Sequence, residues 1–403
     1  MTVTRLRYLL HPREVTDRTS LQVLSVYRDH GVVPKESRSD NYNKTPEDIT
    51  RYQEVRVGDL VVNKMKAWQG SVGISAHRGV VSPDYLVCSV SPEVDSRFFH
   101  YLLRSAPLAS EFGARSKGIR PAQWRLYWED LAEICVTLPP LDEQRRIADF
   151  LDTETATLDD LIAARKCQQN HLDERLKAIL IGSLLPDDVH GWKVTRLKYL
   201  FDSARNGVWG DDAAGNDQDL VCVRVADFMR DNFRADPEAS TWRNVARSAA
   251  QGRILRSGNV LLEKSGGGDQ SPVGFAVTFD SGQKSVCSNF VAALRVAPNV
   301  HSRFACLILA ALYQSSHNIP HIKQSTGIQN LDGNSYLAQE VNVPPLDQQI
   351  AIAVRFDREL GETLALRSAI DSQLSLLAER RQALITAAVT GQIDVTTARG
   401  VST

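Results

Sequence analysis

The chain is poor in the residue patterns that catalysis and metal binding require. Its six cysteines, Cys88, Cys135, Cys167, Cys222, Cys287 and Cys306, are scattered without a Cys-x-x-Cys pair. That spacing argues against a zinc site or a disulfide framework and fits reduced, cytosolic thiols. The nine histidines are dispersed, with none at metal-ligand spacing. Gly266-Gly-Gly268 is not followed by Gly-Lys-Ser/Thr, so there is no Walker loop. His-Glu-x-x-His and Gly-x-Ser-x-Gly are missing, as is the Asn/Asp-Pro-Pro-Tyr/Phe tetrapeptide of amino-methyltransferases. The expectation is a non-enzyme that binds no metal and no cofactor of its own. No apolar run follows Met1–Arg5, and the longest one, around Phe304 to Tyr313, is too short to span a bilayer. A cytoplasmic protein with no membrane partner is expected. A net charge of −1 leaves nucleic acid open, because a binder needs only one positive face.

What is present is a repeat. Val136-Thr-Leu-Pro-Pro-Leu-Asp-Glu-Gln144 returns as Val341-Asn-Val-Pro-Pro-Leu-Asp-Gln-Gln349, an offset of 205 that holds without a gap for roughly 50 residues. Ile147, Asp152, Leu161 and Leu172 match Ile352, Asp357, Leu366 and Leu377. Val3-Thr-Arg-Leu-Arg-Tyr-Leu-Leu10 returns as Val194-Thr-Arg-Leu-Lys-Tyr-Leu-Phe201, offset by 191, and Gly58–Lys64 echoes Gly258–Lys264, offset by 200. The halves therefore share an order of elements and differ in loop length. A chain of 403 residues has room for at least two domains with their own cores.

The repeated segments read as long helices. Pro139-Pro140 and Pro344-Pro345 block helix upstream, and Asp142-Glu143 places acid in a first turn. Apolar residues then recur at three- and four-residue spacing: Ile147, Leu151, Leu158, Leu161, Ile162, Leu172, Leu176, Ile179 and Leu180. The second copy gives Ile370, Leu374, Leu377, Leu384 and Ala388, with Arg381 interrupting. Gly182 or Pro186 is expected to end the first helix and Gly391 the second. About 44 residues give roughly 65 Å of helix, or about 19 base pairs, an upper limit on the separation of the domains. One apolar stripe on so long a helix needs a partner, and the other copy, packed antiparallel, is the simplest. The alternative is that each helix lies on its own globular domain.

The globular parts read as mixed α and β. Strands are predicted at Leu60–Val62, Tyr85–Cys88, Val260–Leu262 and Phe275–Phe279, and short helices at Ser96–Arg104 and Ser302–Tyr313. Five loops mix cations, amides and aromatics. The first supplies Lys64, Lys66, Trp68 and Gln69. The second, Arg115–Arg125, supplies Arg115, Lys117, Arg120, Gln123 and Arg125. In the second half stand Arg205, Asn206 and Trp209, then Lys264, Ser265 and Gln270, then Lys323, Gln324, Gln329 and Asn330. Lys, Arg and Ser suit phosphate, whereas Arg, Asn and Gln suit base edges. The same loops also read as solvated turns with their tryptophans in local cores.

Leu138-Pro-Pro-Leu-x-Glu-Gln-x-x-Ile147 and Val343-Pro-Pro-Leu-x-Gln-Gln-x-x-Ile352 resemble the helix starts of the specificity subunit of type I restriction–modification systems. Gly58–Gly70, Thr326–Leu331 and the helix ends Arg175–Leu180 and Arg380–Ile385 share the likeness, which covers nearly the whole chain. It implies an α+β fold with two mixed α/β target-recognition domains, joined by two long antiparallel coiled-coil helices in a pseudo-two-fold repeat. The expected boundaries are 1–138 and 187–343 for the domains, 139–186 and 344–393 for the spacer helices, and 394–403 for a tail. The resemblance further implies that each domain reads half of a bipartite, asymmetric site in double-stranded DNA. Two methyltransferase subunits would dock on the helices, and a full restriction complex adds motor–nuclease subunits. S-adenosylmethionine would belong to the methyltransferase, which flips the target adenine. The first half has Gly118-Ile-Arg-Pro-Ala where the second has Gly327-Ile-Gln-Asn-Leu, so the half-sites should differ. Arg381 should face a partner or an acidic residue. A two-domain coiled-coil scaffold for protein or carbohydrate is the alternative reading.

Overall fold

The computed structural model describes residues 2–28, 30–38, 44–120, 123–186, 189–268, 270–325 and 327–395. Pro121, Ala122, Asp269 and Thr326 of the candidate loops, and most of the expected tail (396–403), lie outside the described residues. The chain forms two compact units. One is residues 1–165 with 372–403, and the other is residues 166–371. Each unit holds one globular domain and part of both long helices.

Both domains are built on one frame. The strand Thr2–Arg5 pairs antiparallel with Cys135–Leu138, and Lys193–Arg196 pairs in the same way with Glu340–Val343. The chain thus leaves each domain beside its point of entry, one residue pair before the prolines. The central sheet of the first domain runs Leu10–Pro12, Tyr85–Val90, Leu60–Asn63, Val72–Ile74. That of the second runs Phe201–Asn206, Val291–Val296, Val260–Glu263, Ala276–Thr278, and continues through two more short strands. Gly58 and Gly258 both take a left-handed backbone before the central strand, with φ of +89° and +86°. The next side chain closes the same turn in each: Asp59 accepts from the Arg56 N–H at 2.8 Å, and Asn259 from the Arg256 N–H at 2.9 Å. The predicted strands and short helices are present, the helices as Ser96–Leu103 and Ser302–Gln314.

The repeated glutamines explain the most specific motif. Gln144 and Gln349 are both 2% exposed. The Gln144 amide donates to the Pro139 carbonyl at 2.9 Å, and its oxygen accepts from the Asp95 N–H at 2.9 Å. Gln349 does the same with Pro344 and His301, again at 2.9 Å each. One side chain thereby ties the start of the long helix to the exit strand and to the start of the short helix. About two turns further on, Asp152 accepts from Arg97 at 2.8 Å and from the Tyr101 hydroxyl at 2.7 Å. Its counterpart Asp357 accepts from Arg303 at 2.7 Å and from Arg234 at 3.2 Å.

The long helices span Leu141–Leu184 and Leu346–Val389. Within the first unit, Ile147, Ala148 and Leu151 share a core with Ile385, Ala388 and Val389, while Asp159 meets Arg381 at 2.9 Å. Numbers rise on one helix as they fall on the other, so the two run antiparallel. The second unit repeats the arrangement, with Leu180 and Leu184 in one core with Ala353, Phe356 and Leu360. There Asp173 pairs with Arg367 at 3.3 Å and Arg175 with Glu359 at 3.1 Å. Each helix start also lies on its own domain, so the alternative packing holds for the first turns. Four details differ from the sequence reading or complete it. Leu161 is not part of the buried stripe but 47% exposed, since Leu158 and Ile162 already cover that face. Gly182 does not end the first helix, which continues to Leu184 before Pro186. Gly391 does stand past the second helix, at φ +73°, with its N–H on the Ala388 carbonyl. Arg381 faces an acidic residue, Asp159.

Candidate nucleic-acid interface

In the first domain the two candidate loops meet. The segment after Asn63 turns sharply, with the Asn63 side chain accepting from the Met65 N–H at 3.1 Å and a short 3-10 turn over Ala67–Gln69. The loop from Arg115 to Arg125 folds back on itself: the Lys117 N–H donates to Arg125 at 3.0 Å, and the Arg125 N–H to Lys117 at 2.9 Å. The Leu126 N–H then donates to the Lys64 carbonyl at 2.9 Å, joining both loops. Trp68 and Trp124 pack edge to face with centroids 5.6 Å apart, and the Trp68 indole N–H donates to the Met65 carbonyl at 3.1 Å. Several of the cations have intramolecular partners. Arg125 reaches Asp84 at 3.3 Å, Lys117 reaches Asp130 at 2.7 Å, Arg115 reaches Glu111 at 3.1 Å, and Lys64 donates to the Pro83 carbonyl at 3.1 Å. Lys66, Gln69, Arg120 and Gln123 are exposed, and Ile119, beside Arg120, is 96% exposed.

The second domain joins its loops differently. Ser265–Gly266, Ile328–Leu331 and Ile322–Ser325 form a small sheet. The Ser265 hydroxyl donates to Asn330 at 2.7 Å, and Lys323 pairs with Asp332 at 2.7 Å. Gln329 does not reach the surface. It is buried, and its side-chain oxygen accepts from the Val273 N–H at 3.2 Å, so it holds the loop instead of presenting an amide outward. Trp209 lines an open pocket together with Ser265, Gly266 and Gly267, while Arg243 stacks 4.5 Å over its ring. Arg205, Asn206, Gln270 and Gln324 are exposed, and the Asn206 carbonyl accepts from Arg253 at 3.1 Å.

A cationic cluster in the first domain escaped the sequence reading. Arg13, Arg56 and Arg78 gather on the buried carboxylate of Glu54, with Arg78 at 2.8 Å and Arg56 at 3.4 Å, and Arg13 also reaches Asp59 at 3.4 Å. The Arg78 hydrogen bond holds the Glu54 carboxyl below its usual range against the opposing effect of burial. Three guanidiniums against two carboxylates leave the cluster positive, and Arg56 and Arg78 are mostly exposed. No local signal marked these arginines, because they lie on separate strands and turns. Among the described residues, no group of three His, Cys, Asp or Glu is placed to hold a metal. No described helix is long and apolar enough to cross a membrane.

Residues 18–169 match the type I restriction modification DNA specificity domain. These residues are therefore similar to a DNA specificity domain of type I systems. The match takes in the loops around Trp68 and Trp124, the Pro139-Pro140 pair and the first part of the first long helix. No curated protein sequence matches the chain. The fold is similar to that of a chain from a structure of the complex assembly and conformational transition of the type I R-M system, at TM-score 0.72 and 16% identity over 97% of this chain and 98% of that one. It is also similar to the HsdS subunit from Thermoanaerobacter tengcongensis, at TM-score 0.50 and 17% identity over 97% of each chain. At such identity the likeness speaks for the fold, and it extends beyond the specificity domain to the second domain and second helix. The loop around Trp68 lies within the matched residues, and the loop around Trp209 lies beyond them. The geometry brings the candidate residues of each domain toward the end of its central strand, Asn63 in one and Glu263 in the other.

Proposed function

We propose that the whole chain is the sequence-recognition subunit of a type I restriction–modification complex, and that it reads a bipartite, asymmetric site in double-stranded DNA. Each domain contacts one half-site. The long helices set the spacing and carry two methyltransferase subunits, and a motor–nuclease completes the restriction form. S-adenosylmethionine is held by the methyltransferase, and the complex works in the cytoplasm. The observation that carries the reading is the contrast between frame and loops. Both domains use the same buried glutamine and the same aspartate to fix the helix, yet the loops after the equivalent central strands differ in nearly every side chain. A common partner bound twice calls for the first property, and two unlike half-sites call for the second.

The test is a shift assay with the purified chain, with and without its methyltransferase, across a salt series, followed by mapping of methylated sites. Affinity should fall steeply with salt as counterions are released, and the map should show two unlike half-sites at a fixed spacing. Absence of DNA binding even with the methyltransferase would overturn the reading in favour of a protein or carbohydrate scaffold.

A further inference from the structure

The second domain contains an open pocket of about 470 Å³ at the end of its central strand, a volume within the range of small-molecule sites. Its walls include Trp209 and Phe290, which are 38% and 45% exposed. Arg243, which stacks on the Trp209 ring, is not among the lining residues, so it holds the indole without filling the space. Two polar groups that are 2% exposed line the same pocket, Glu263 and Ser288. The Ser288 hydroxyl is buried with no hydrogen-bond partner. Glu263 gives one carboxylate oxygen, Oε2, to Arg230 at 3.0 Å. Its other oxygen is the atom nearest to where a side chain on Gly266 would begin, at 3.8 Å. The backbone of Gly266 and Gly267, at φ +117° and +60°, is one that other residues rarely adopt. A side chain at Gly266 would therefore stand in contact with this carboxylate. In the first domain the corresponding stretch is Met65, Lys66, Ala67 and Trp68, and the Trp68 side chain packs on Trp124.

We propose that this pocket takes a single nucleobase, with its flat face against Trp209 and Phe290, its exocyclic amino group donating to Glu263 and a ring nitrogen accepting from the Ser288 hydroxyl. Two apolar aromatic walls suit a planar ring, and a buried carboxylate beside an unpartnered hydroxyl suits an amino group next to a ring nitrogen. Burial raises the Glu263 carboxyl above its usual range, opposed by Arg230 and by the hydrogen bond from the Phe275 N–H. The base comes either from an unstacked nucleotide of bound DNA or from a free nucleoside. The first source rests on the DNA-recognition reading above.

The experiment is calorimetric titration of the full chain and of its Trp209→Ala and Ser288→Ala variants. The probes are adenosine, a short oligodeoxyadenylate, an abasic oligonucleotide of the same length, and duplex DNA with the methyltransferase present. Ser288→Ala removes a hydroxyl that has no partner, so its thermal unfolding should match the parent. We expect the oligodeoxyadenylate to bind more tightly than the abasic strand. Trp209→Ala should weaken this preference about 5- to 150-fold, the loss of one base–aromatic stack, and Ser288→Ala about 2- to 10-fold. Binding of adenosine alone with the same sensitivity assigns the pocket to a free nucleoside. Binding by neither probe, or binding that both variants leave unchanged, overturns the proposal. In that case, duplex binding that persists leaves DNA recognition standing. Failure of duplex binding beside intact adenosine binding removes only the recognition reading.

Discussion

The two domains place different chemistry on equivalent positions of one frame. After the first central strand the chain runs Lys64, Met65, Lys66, Ala67, Trp68, and the indole packs edge to face against Trp124. After the second it runs Lys264, Ser265, Gly266, Gly267, Gly268, and a pocket remains. The same split appears at the helix anchor. Arg303 is 5% exposed and also donates to the Phe233 and Asn232 carbonyls, whereas Arg97, 206 positions earlier, has a side chain 47% exposed and bridges Asp149 and Asp152 from outside. What the frame must hold is kept in kind, but the solvation of each contact is set by its own neighbours.

The sharpest way to break this comparison is to remove both arginines in turn. Arg303→Ala leaves Asp357 without its buried partner and should cost about 3–5 kcal/mol, while Arg97→Ala should cost at most about 1 kcal/mol. Urea unfolding of the two variants measures the difference, and equal losses would refute it. The next effect should be symmetrical. Gln144→Ala and Gln349→Ala each orphan a buried carbonyl and a half-buried N–H, and each should destabilise its own unit by about 1–3 kcal/mol. Hydrogen exchange would locate the loss in the first unit for one variant and in the second for the other.

A pH series separates the domains again. His100 packs under Gly31 and Gly73 and accepts the Ile74 N–H at 3.1 Å on Nδ1. Burial, helped by the neighbouring Arg104 charge, pushes it down to about 3. Between about 6.5 and 3 the unfolded chain therefore binds a proton that the folded chain refuses, and stability falls as pH falls through that window. The equivalent position in the second domain is Cys306, a fully buried thiol whose pKa burial pushes up, so it stays uncharged there. His100→Cys should flatten the acid limb of the unfolding curve, and an unchanged limb would show that other groups dominate it. The smallest effect is at the surface. Lys66→Ala should leave stability unchanged and lower the salt dependence of DNA binding by about one phosphate contact. A loss confined to a few target sequences would instead make Lys66 a base reader.

Much of this was legible in the chain because repetition is visible without knowing any contact. The prolines, the spacing of Ile147, Leu151 and Leu158, and the absence of helix breakers gave both long helices nearly to their ends. The candidate loops were legible as compositions only. Gln329 looked the same in sequence as the exposed Gln324, but it lies inside the domain because the Val273 N–H needed an acceptor. Arg13, Arg56 and Arg78 carried no mark, since their common partner, Glu54, is far from two of them along the chain.

The amino-acid sequence by itself determined the duplication, the helices and the order of elements, because these depend on periodicity and on local backbone preferences. Tertiary structure alone decided why the glutamine of the repeated motif matters, which loops meet, and that two glycines line a pocket where the first domain packs a tryptophan pair. Those outcomes depend on which buried donor finds which acceptor across many residues, and on volume left unfilled, which no spacing along the chain records.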